Sequence, residues 1–191
     1  MTRVIAGAAR GRRLSVPPGG RTRPTSDKAR EALFSTVESM HGPLVGAHVL
    51  DLYAGSGAVG LEAASRGASH VLLVENDARA VRVLGENVDA VGLAGVRVAR
   101  SPVERLVAVA PRAGDGPYDV VFADPPYTFS AKRLADVLVT LQAGGWLADG
   151  ALVIVERATR DPGFAWPDGF VPERSKRYGE GTLWYGRAAV T

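Results

Sequence analysis

The chain has 191 residues, 46% of them apolar, no cysteine and a formal net charge of +3. That is the length of one ordinary domain with enough apolar material for a core. No run of 18 apolar residues offers a membrane helix, and the lack of cysteine removes disulfides, thiolate metal sites and cysteine nucleophiles together.

Charge is unevenly placed. Residues 1–30 carry eight basic side chains, Arg3, Arg10, Arg12, Arg13, Arg21, Arg23, Lys28 and Arg30, against the single acid Asp27, a local +7; the remainder sums to −4. A basic arm on a mildly acidic body points to a polyanionic partner; the ordinary alternative is a solvated tail. Along the chain, MTRVIAGAARGRR lacks the long apolar segment of a secretory signal. Arg12-Arg13 lacks the apolar stretch that follows a twin-arginine address, so a cytoplasmic protein is expected. RVIAGAARGRRLSV alternates around Arg10-Gly11 and predicts a β-hairpin. PPGGRTRPT reads as a linker. Thr25, Ser26 and Asp27 offer N-cap oxygens for a helix that places Ala29, Leu33, Val37 and Met40 on one face. The expected division is a basic hairpin arm and linker over 1–24 and a body over 25–191, and deleting residues 1–20 is expected to leave the core folded.

From His48 short apolar runs alternate with helical stretches. HVLDLY, HVLLVE, VRVA, YDVVFAD and ALVIVE predict five strands. GAVGLEAASRG, DARAVRVLGENVDAVG, Pro102–Val109 and Lys132–Leu141 predict the helices between them. That alternation means βαβ units and a mostly parallel sheet covered on both faces, an α/β fold. FVPERSKRYG and GTLWYGRAAV, joined at Glu180-Gly181, predict a closing antiparallel hairpin.

The turn after the first of these strands reads DLYAGSGAVG, with Gly55, Gly57 and Gly60 in G-x-G-x-x-G spacing. Glu75 ends the next strand 20 residues after Gly55. Close backbone approach, a helix N-terminus and an acid for ribose hydroxyls suit an adenosine-containing cofactor. Two classes share this geometry, nicotinamide dinucleotides and S-adenosylmethionine. Asp51, just before the turn, repels a pyrophosphate and suits a cofactor bearing ammonium and sulfonium groups. Its ordinary role is to bond turn amides.

DPPY, residues 124–127, ends a strand whose carboxyl end faces the same crevice. An exocyclic base amine is a poor nucleophile because its lone pair is conjugated with the ring. Acceptors at its N–H groups, here the Asp124 carboxylate and the Pro125 carbonyl, favour the reactive pyramidal form. Pro125 and Pro126 stiffen that backbone without adding donors, and Tyr127 offers a face for a flipped base. No metal is required, because the electrophile is itself a cation.

Taken together, RVIAGAARGRRLSVP, RPTSDKAREALF, LDLYAGSGAVGLEAASRGA, DPPY and GWLADGALVIVE make the chain resemble the bacterial 16S rRNA guanine-N2 methyltransferase family, the small-subunit methyltransferase D type. The resemblance covers nearly the whole chain, and RPT-x-D-x-x-RE is its most family-specific part. It implies a class I methyltransferase: a Rossmann-like, seven-stranded sheet with an N-terminal hairpin. It further implies S-adenosylmethionine as cofactor and, as target, one guanine in a 16S rRNA hairpin loop of an assembled or partly assembled small subunit. By position, Asp51, Tyr53, Ala54, Gly55, Ser56 and Gly57 line the methionine part and Glu75 the ribose. Asn76, Ser101, Pro102 and Val103 flank the adenine, although Arg100-Ser101-Pro102 stands where many relatives carry an acid. The arm basics with Thr25 grip RNA. A monomer is expected.

Four rival readings share parts of this pattern. A DNA amino-methyltransferase uses the same DPPY. A nicotinamide oxidoreductase leaves DPPY idle, and a non-catalytic assembly factor leaves the crevice idle. A C5-cytosine enzyme is disfavoured because its usual mechanism needs a cysteine. His41, His48 and His70 show no metal spacing. Trp146 reads as core or rim, one of Trp184 and Tyr185 as core, and Arg174, Lys176, Arg177 and Tyr178 as a solvated strand or an extended nucleic-acid surface.

Overall fold

The structure, a computed structural model, describes residues 1–18 and 26–190; Arg21, Arg23 and Thr25 of the expected arm surface lie outside the described residues. The chain begins with β1 (Thr2–Arg3), β2 (Arg13–Leu14) and α1 (Asp27–His41). Then follow β3 (His48–Leu52), α2 (Ala58–Ser65), β4 (His70–Glu75), α3 (Ala78–Val91), β5 (Val96–Arg100) and α4 (Val103–Val107). The last elements are β6 (Tyr118–Ala123), α5 (Ala131–Ala143), β7 (Leu147–Ala158), β8 (Phe170–Tyr178) and β9 (Gly181–Ala188). Ser26 is the cap that α1 uses, its Oγ accepting from the Ala29 amide at 3.1 Å. No helix among the described residues is long and apolar enough to cross a membrane.

Seven strands form one sheet in the order β5-β4-β3-β6-β7-β9-β8. All neighbours are parallel except β9, which runs against both β7 and β8. The expected class I architecture is therefore present. Because strand residues alternate between faces, Val49, Val71, Leu73, Val120 and Phe122 pack with Phe34 of α1, Leu61 of α2 and Leu84 of α3. Leu50, Leu72, Val74, Val121 and Val153 pack with Val103 of α4 and Leu134 of α5. Each such side chain contributes about 1.5–3 kcal/mol on burial. Trp146 joins the second layer, stacked on Tyr118 with its indole N–H on the Val109 carbonyl at 2.9 Å. Tyr185 faces the core and is fully buried.

The strand order reverses between β3 and β6. That opens a crevice beyond their carboxyl ends, where ligands of doubly wound sheets sit. Register pairs Leu52 with Ala123, so Tyr53 and Asp124 leave the sheet side by side.

The expected N-terminal hairpin is present, β1 pairing antiparallel with β2 through Thr2–Leu14 and Arg3–Arg13. Its strands are only two residues long, because the segment between them folds onto α2. The Ile5 and Ala6 amides donate to the two oxygens of the fully buried Glu62 carboxylate, at 2.8 and 3.0 Å. The Ala8 amide reaches the Ser65 carbonyl at 2.8 Å and the Ala9 amide its hydroxyl at 2.9 Å. Gly7 is required there, since a Cβ would sit 1.8 Å from the Ser65 carbonyl oxygen. Val4, Ala9 and Leu14 belong to the first core layer. The arm thus supplies side chains to the core of the body.

The expectation for Arg30 is corrected. At 1% exposure it has no surface to offer RNA. Its guanidinium bonds the Arg3 carbonyl, the Thr2 hydroxyl at 3.3 Å and Asp27 at 3.2 Å, and lies 3.8 Å from Glu62. Buried charge needs such pairing, so Arg30 ties the arm to α1 and α2.

Candidate active site

The turn after β3 is held by two carboxylates. Tyr53 adopts φ 60°, a left-handed conformation unusual for a tyrosine. Gly55 donates its amide to Glu75 Oε2 at 2.9 Å, and the Asn76 and Asp77 amides donate to Oε1 at 2.8 and 2.9 Å. Asp51 lies behind the turn, 4% exposed, and accepts the Gly60 amide at 2.9 Å. Gly60 permits this contact: a Cβ there would meet Leu73 Cδ2 at 2.2 Å, so a larger residue would lift α2 off β4. Burial, aided by the charge of Glu75 and opposed by the Gly60 amide, lifts Asp51 to about 7.

Stability should depend on pH through this group. A carboxyl raised in the fold above its unfolded value of about 3.9 favours the folded state while neutral. Its contribution is full below about pH 4 and is lost as pH rises through about 7. The loss is on the order of 4 kcal/mol by pH 8. Asp51→Asn keeps an acceptor for Gly60 and removes the ionisation. Denaturant unfolding at pH 4, 6 and 8 is expected to show a flatter decline for the variant; an unchanged slope would exclude Asp51 as its source.

A cleft of about 780 Å³ opens beyond the strand ends. Tyr53, Gly55, Glu75 and Asn76 line one side, and Ser101, Pro102 and Val103 another, with Asp124 and Pro126 at the sheet end. The residues expected around an adenosine cofactor therefore largely converge. Asp51, Ala54, Ser56 and Gly57 do not line this cleft; Asp51 and Gly57 are buried behind it. Sequence reasoning missed several walls: Pro17 and Pro18 from the arm, Arg79 of α3, Glu104 of α4, and Phe129 with Arg133. Phe129 sits edge-on to Tyr53 at 5.4 Å, under the Arg133 guanidinium at 4.3 Å. Arg133 in turn bonds Glu104 at 2.6 Å. The only available signal was the strand-end position of these segments.

The DPPY turn is braced from below. The Phe129 amide donates to the Pro126 carbonyl at 2.8 Å, and buried Arg157 donates to the Phe129 carbonyl at 2.8 Å. Asp124 is half-buried and Pro125 buried. Burial, then the neighbouring charges of Glu156 and Asp51, hold Asp124 well above the usual carboxylate range, with Arg157 opposing. Burial raises Glu156 as well. Tyr127, 50% exposed, lies outside the cofactor cleft. It lines two adjoining hollows: one of about 480 Å³ with Lys28, Glu156 and Gly181, and one of about 400 Å³ with Arg160 and Arg177. Asp124 thus faces the cofactor cleft and Tyr127 the two hollows. Of the arm basics, Arg3, Arg10, Arg12, Arg13 and Lys28 are exposed.

A seven-stranded sheet of this order, an acid at the end of its second strand and DPPY at the end of its fourth define a class I methyltransferase. The chain belongs to the family described as conserved hypothetical protein 95, whose model matches residues 2–187. It is 40% identical over 154 residues to the ribosomal RNA small subunit methyltransferase D of Escherichia coli, covering 81% of this chain and 73% of that one. The solved structure of the putative methyltransferase yhhF of Escherichia coli superposes with a TM-score of 0.84 at 34% identity, covering 99% and 98% of the two chains. That of a hypothetical protein of Thermus thermophilus gives 0.79 at 35% identity over the whole of both chains.

Proposed function

We propose that the protein transfers a methyl group from S-adenosylmethionine to the exocyclic N2 amine of a guanine in 16S rRNA of the small ribosomal subunit. The observation that carries this reading is the position of DPPY, with Asp124 at the cofactor cleft and Tyr127 on a separate hollow. The relatives named for small-subunit rRNA methylation support the RNA substrate.

The cleft favours a cofactor without phosphate. Helix N-termini bind pyrophosphate through free amides, but Gly55 and Gly60 already give theirs to Glu75 and Asp51. The Tyr53 hydroxyl, buried with no hydrogen-bond partner among the described residues, is a polar atom that a ligand would satisfy. Glu75, fixed by three amides, keeps lone pairs for a ribose diol. When bound, S-adenosylmethionine supplies an electrophilic methyl on a sulfonium. The protein's own residues then hold the nucleophile. Asp124 and the Pro125 carbonyl accept the N–H groups of the amine, and Tyr127 stacks the base. With the methyl supplied by the bound cofactor, the amine nitrogen would give up a proton, and Asp124 is the residue placed to take it. A carboxylate raised towards neutrality is a better acceptor for that proton. Alignment does most of the remaining work. The exposed arm basics contact the RNA backbone, and the enzyme acts in the cytoplasm as a monomer on an assembled or partly assembled subunit.

Calorimetry is expected to show binding of S-adenosylmethionine and its demethylated product and none of NAD or NADP. Glu75→Ala weakens it by about 1.5–3 kcal/mol, and Glu75→Gln by less because one acceptor remains. Tight NAD binding without the sulfonium cofactor would reject the assignment. Labelled methyl transfer to undermethylated small subunits, with the product nucleotide mapped, tests the rest.

A further inference from the structure

We propose that Glu156 selects guanine, its carboxylate accepting the N1–H of the flipped base while Asp124 takes the neighbouring N2 amine. This rests on the reading of the site as a guanine-N2 methyltransferase.

The last registered pair of the parallel strands β6 and β7 is Ala123 with Val155. The next residue in each case is an acid: Asp124 lies just past the end of β6, and Glu156 lies beside it in β7, two residues before that strand ends, with the two backbones about 4.8 Å apart along the hydrogen-bonding direction. They open on different sides. Asp124 lines the cofactor cleft, and Glu156 lines the hollow of about 480 Å³ that Tyr127 also walls. A base stacked on Tyr127 with its amine turned to Asp124 therefore presents the adjoining edge to Glu156. The carboxylate is confined on its far side by the start of β9, where a Cβ at Gly181 would come within 2.5 Å of its Oε1. Its neighbour in the wall, Leu183, pairs with it in register and offers no competing polar group.

Base chemistry then decides which nucleotide fits. In adenine and cytosine the ring nitrogen beside the amine in the Watson–Crick edge is an acceptor. In guanine it is N1–H, a donor. Two adjacent acceptors match only the guanine edge, and an ionised carboxylate facing an acceptor nitrogen is repelled. Neighbouring acids raised by burial are stabilised in charged form when two N–H donors arrive between them. A site built to hydrogen-bond a donor rejects analogues lacking it far more strongly than an apolar pocket does.

The test compares wild type, Glu156→Gln and Glu156→Ala on undermethylated small subunits carrying either guanine or adenine at the target position. Methyl transfer, melting temperature and S-adenosylmethionine affinity are measured for each. Wild type is expected to methylate guanine with strong preference. Both variants should lose about 10- to 100-fold on guanine, and the guanine-to-adenine ratio should fall by at least tenfold for Glu156→Gln, whose amide can donate to adenine N1. Cofactor affinity should stay within twofold, because Glu156 does not line that cleft. Wild-type guanine transfer by both variants, or an unchanged ratio with equal loss on both bases, overturns the assignment of Glu156 alone. A wild type that methylates neither base overturns the guanine reading and this proposal with it.

Discussion

Asp124→Ala is expected to abolish methyl transfer, a loss of at least the roughly 10²–10⁴-fold typical of an acid–base group, while the fold survives. The carboxyl sits half-buried beside Glu156 and near Asp51, and burial and those charges raise it. Its ionised form is therefore disfavoured in the fold, and removing it should leave the melting temperature equal or higher. That combination separates catalysis from structure: a turn acid that merely braced the loop would lower stability when removed. Asp124→Asn keeps one acceptor oxygen but cannot take the proton, so it retains only traces of activity. Tyr127→Phe keeps the stacking face and stays active. Tyr127→Ala loses about 1–3 kcal/mol of stacking, roughly tenfold to a hundredfold. Pro125→Ala and Pro126→Ala, by contrast, should lower stability by loosening the backbone. Near wild-type transfer by Asp124→Ala would refute the role given to DPPY.

Deleting residues 1–18 is expected to unfold the protein or lower its melting temperature by roughly 10 °C or more, and not merely to weaken RNA binding. Val4 and Leu14 are 1% and 0% exposed, and each loses about 1.5–3 kcal/mol of burial. Glu62, fully buried, loses two amide donors, each worth about 1.5–3 kcal/mol to a charged acceptor. Asn87 loses its paired bonds with Ser15, at 2.8 and 2.9 Å, and keeps only the Ser56 carbonyl of the glycine turn. Together these approach the whole stability of an ordinary domain, about 5–15 kcal/mol. Thermal and urea unfolding of the truncated chain measure the effect, and a cooperative transition at the wild-type midpoint would refute it. The RNA role of the arm needs gentler changes. Arg10→Ala with Arg13→Ala removes two exposed charges without touching the core. The salt dependence of subunit binding should then flatten by about 0.7–0.9 per lost phosphate contact.

Most of the sheet was legible because parallel strands buried on both faces are continuous apolar runs. HVLLV and DVVFA have no other economical reading, and glycine and proline punctuate their ends. The chemistry at those ends was legible for the same reason: Glu75 and Asp124 follow apolar runs, and the doubly wound topology sends every strand end to one crevice. The methyltransferase class was thus written in local pattern and spacing, and the family in the motifs that join them. Long-range partners were not. Arg30 looks like one more basic residue of the arm, and only the packing of the arm on α1 shows that the Arg3 carbonyl, Thr2 and Asp27 hold its guanidinium. Pro17 and Pro18 read as linker, yet the fold of the arm carries them to the cofactor cleft. Asp51 was read towards the ligand, and the close approach of Gly60 turned it inward. Glu156 ended a strand without a motif around it, and became legible only when β7 paired beside β6. Periodicity and turn chemistry act between residues a few positions apart, so one sequence carries them. Which buried charge meets which donor depends on residues far apart along the chain, and that is decided only when the layers pack.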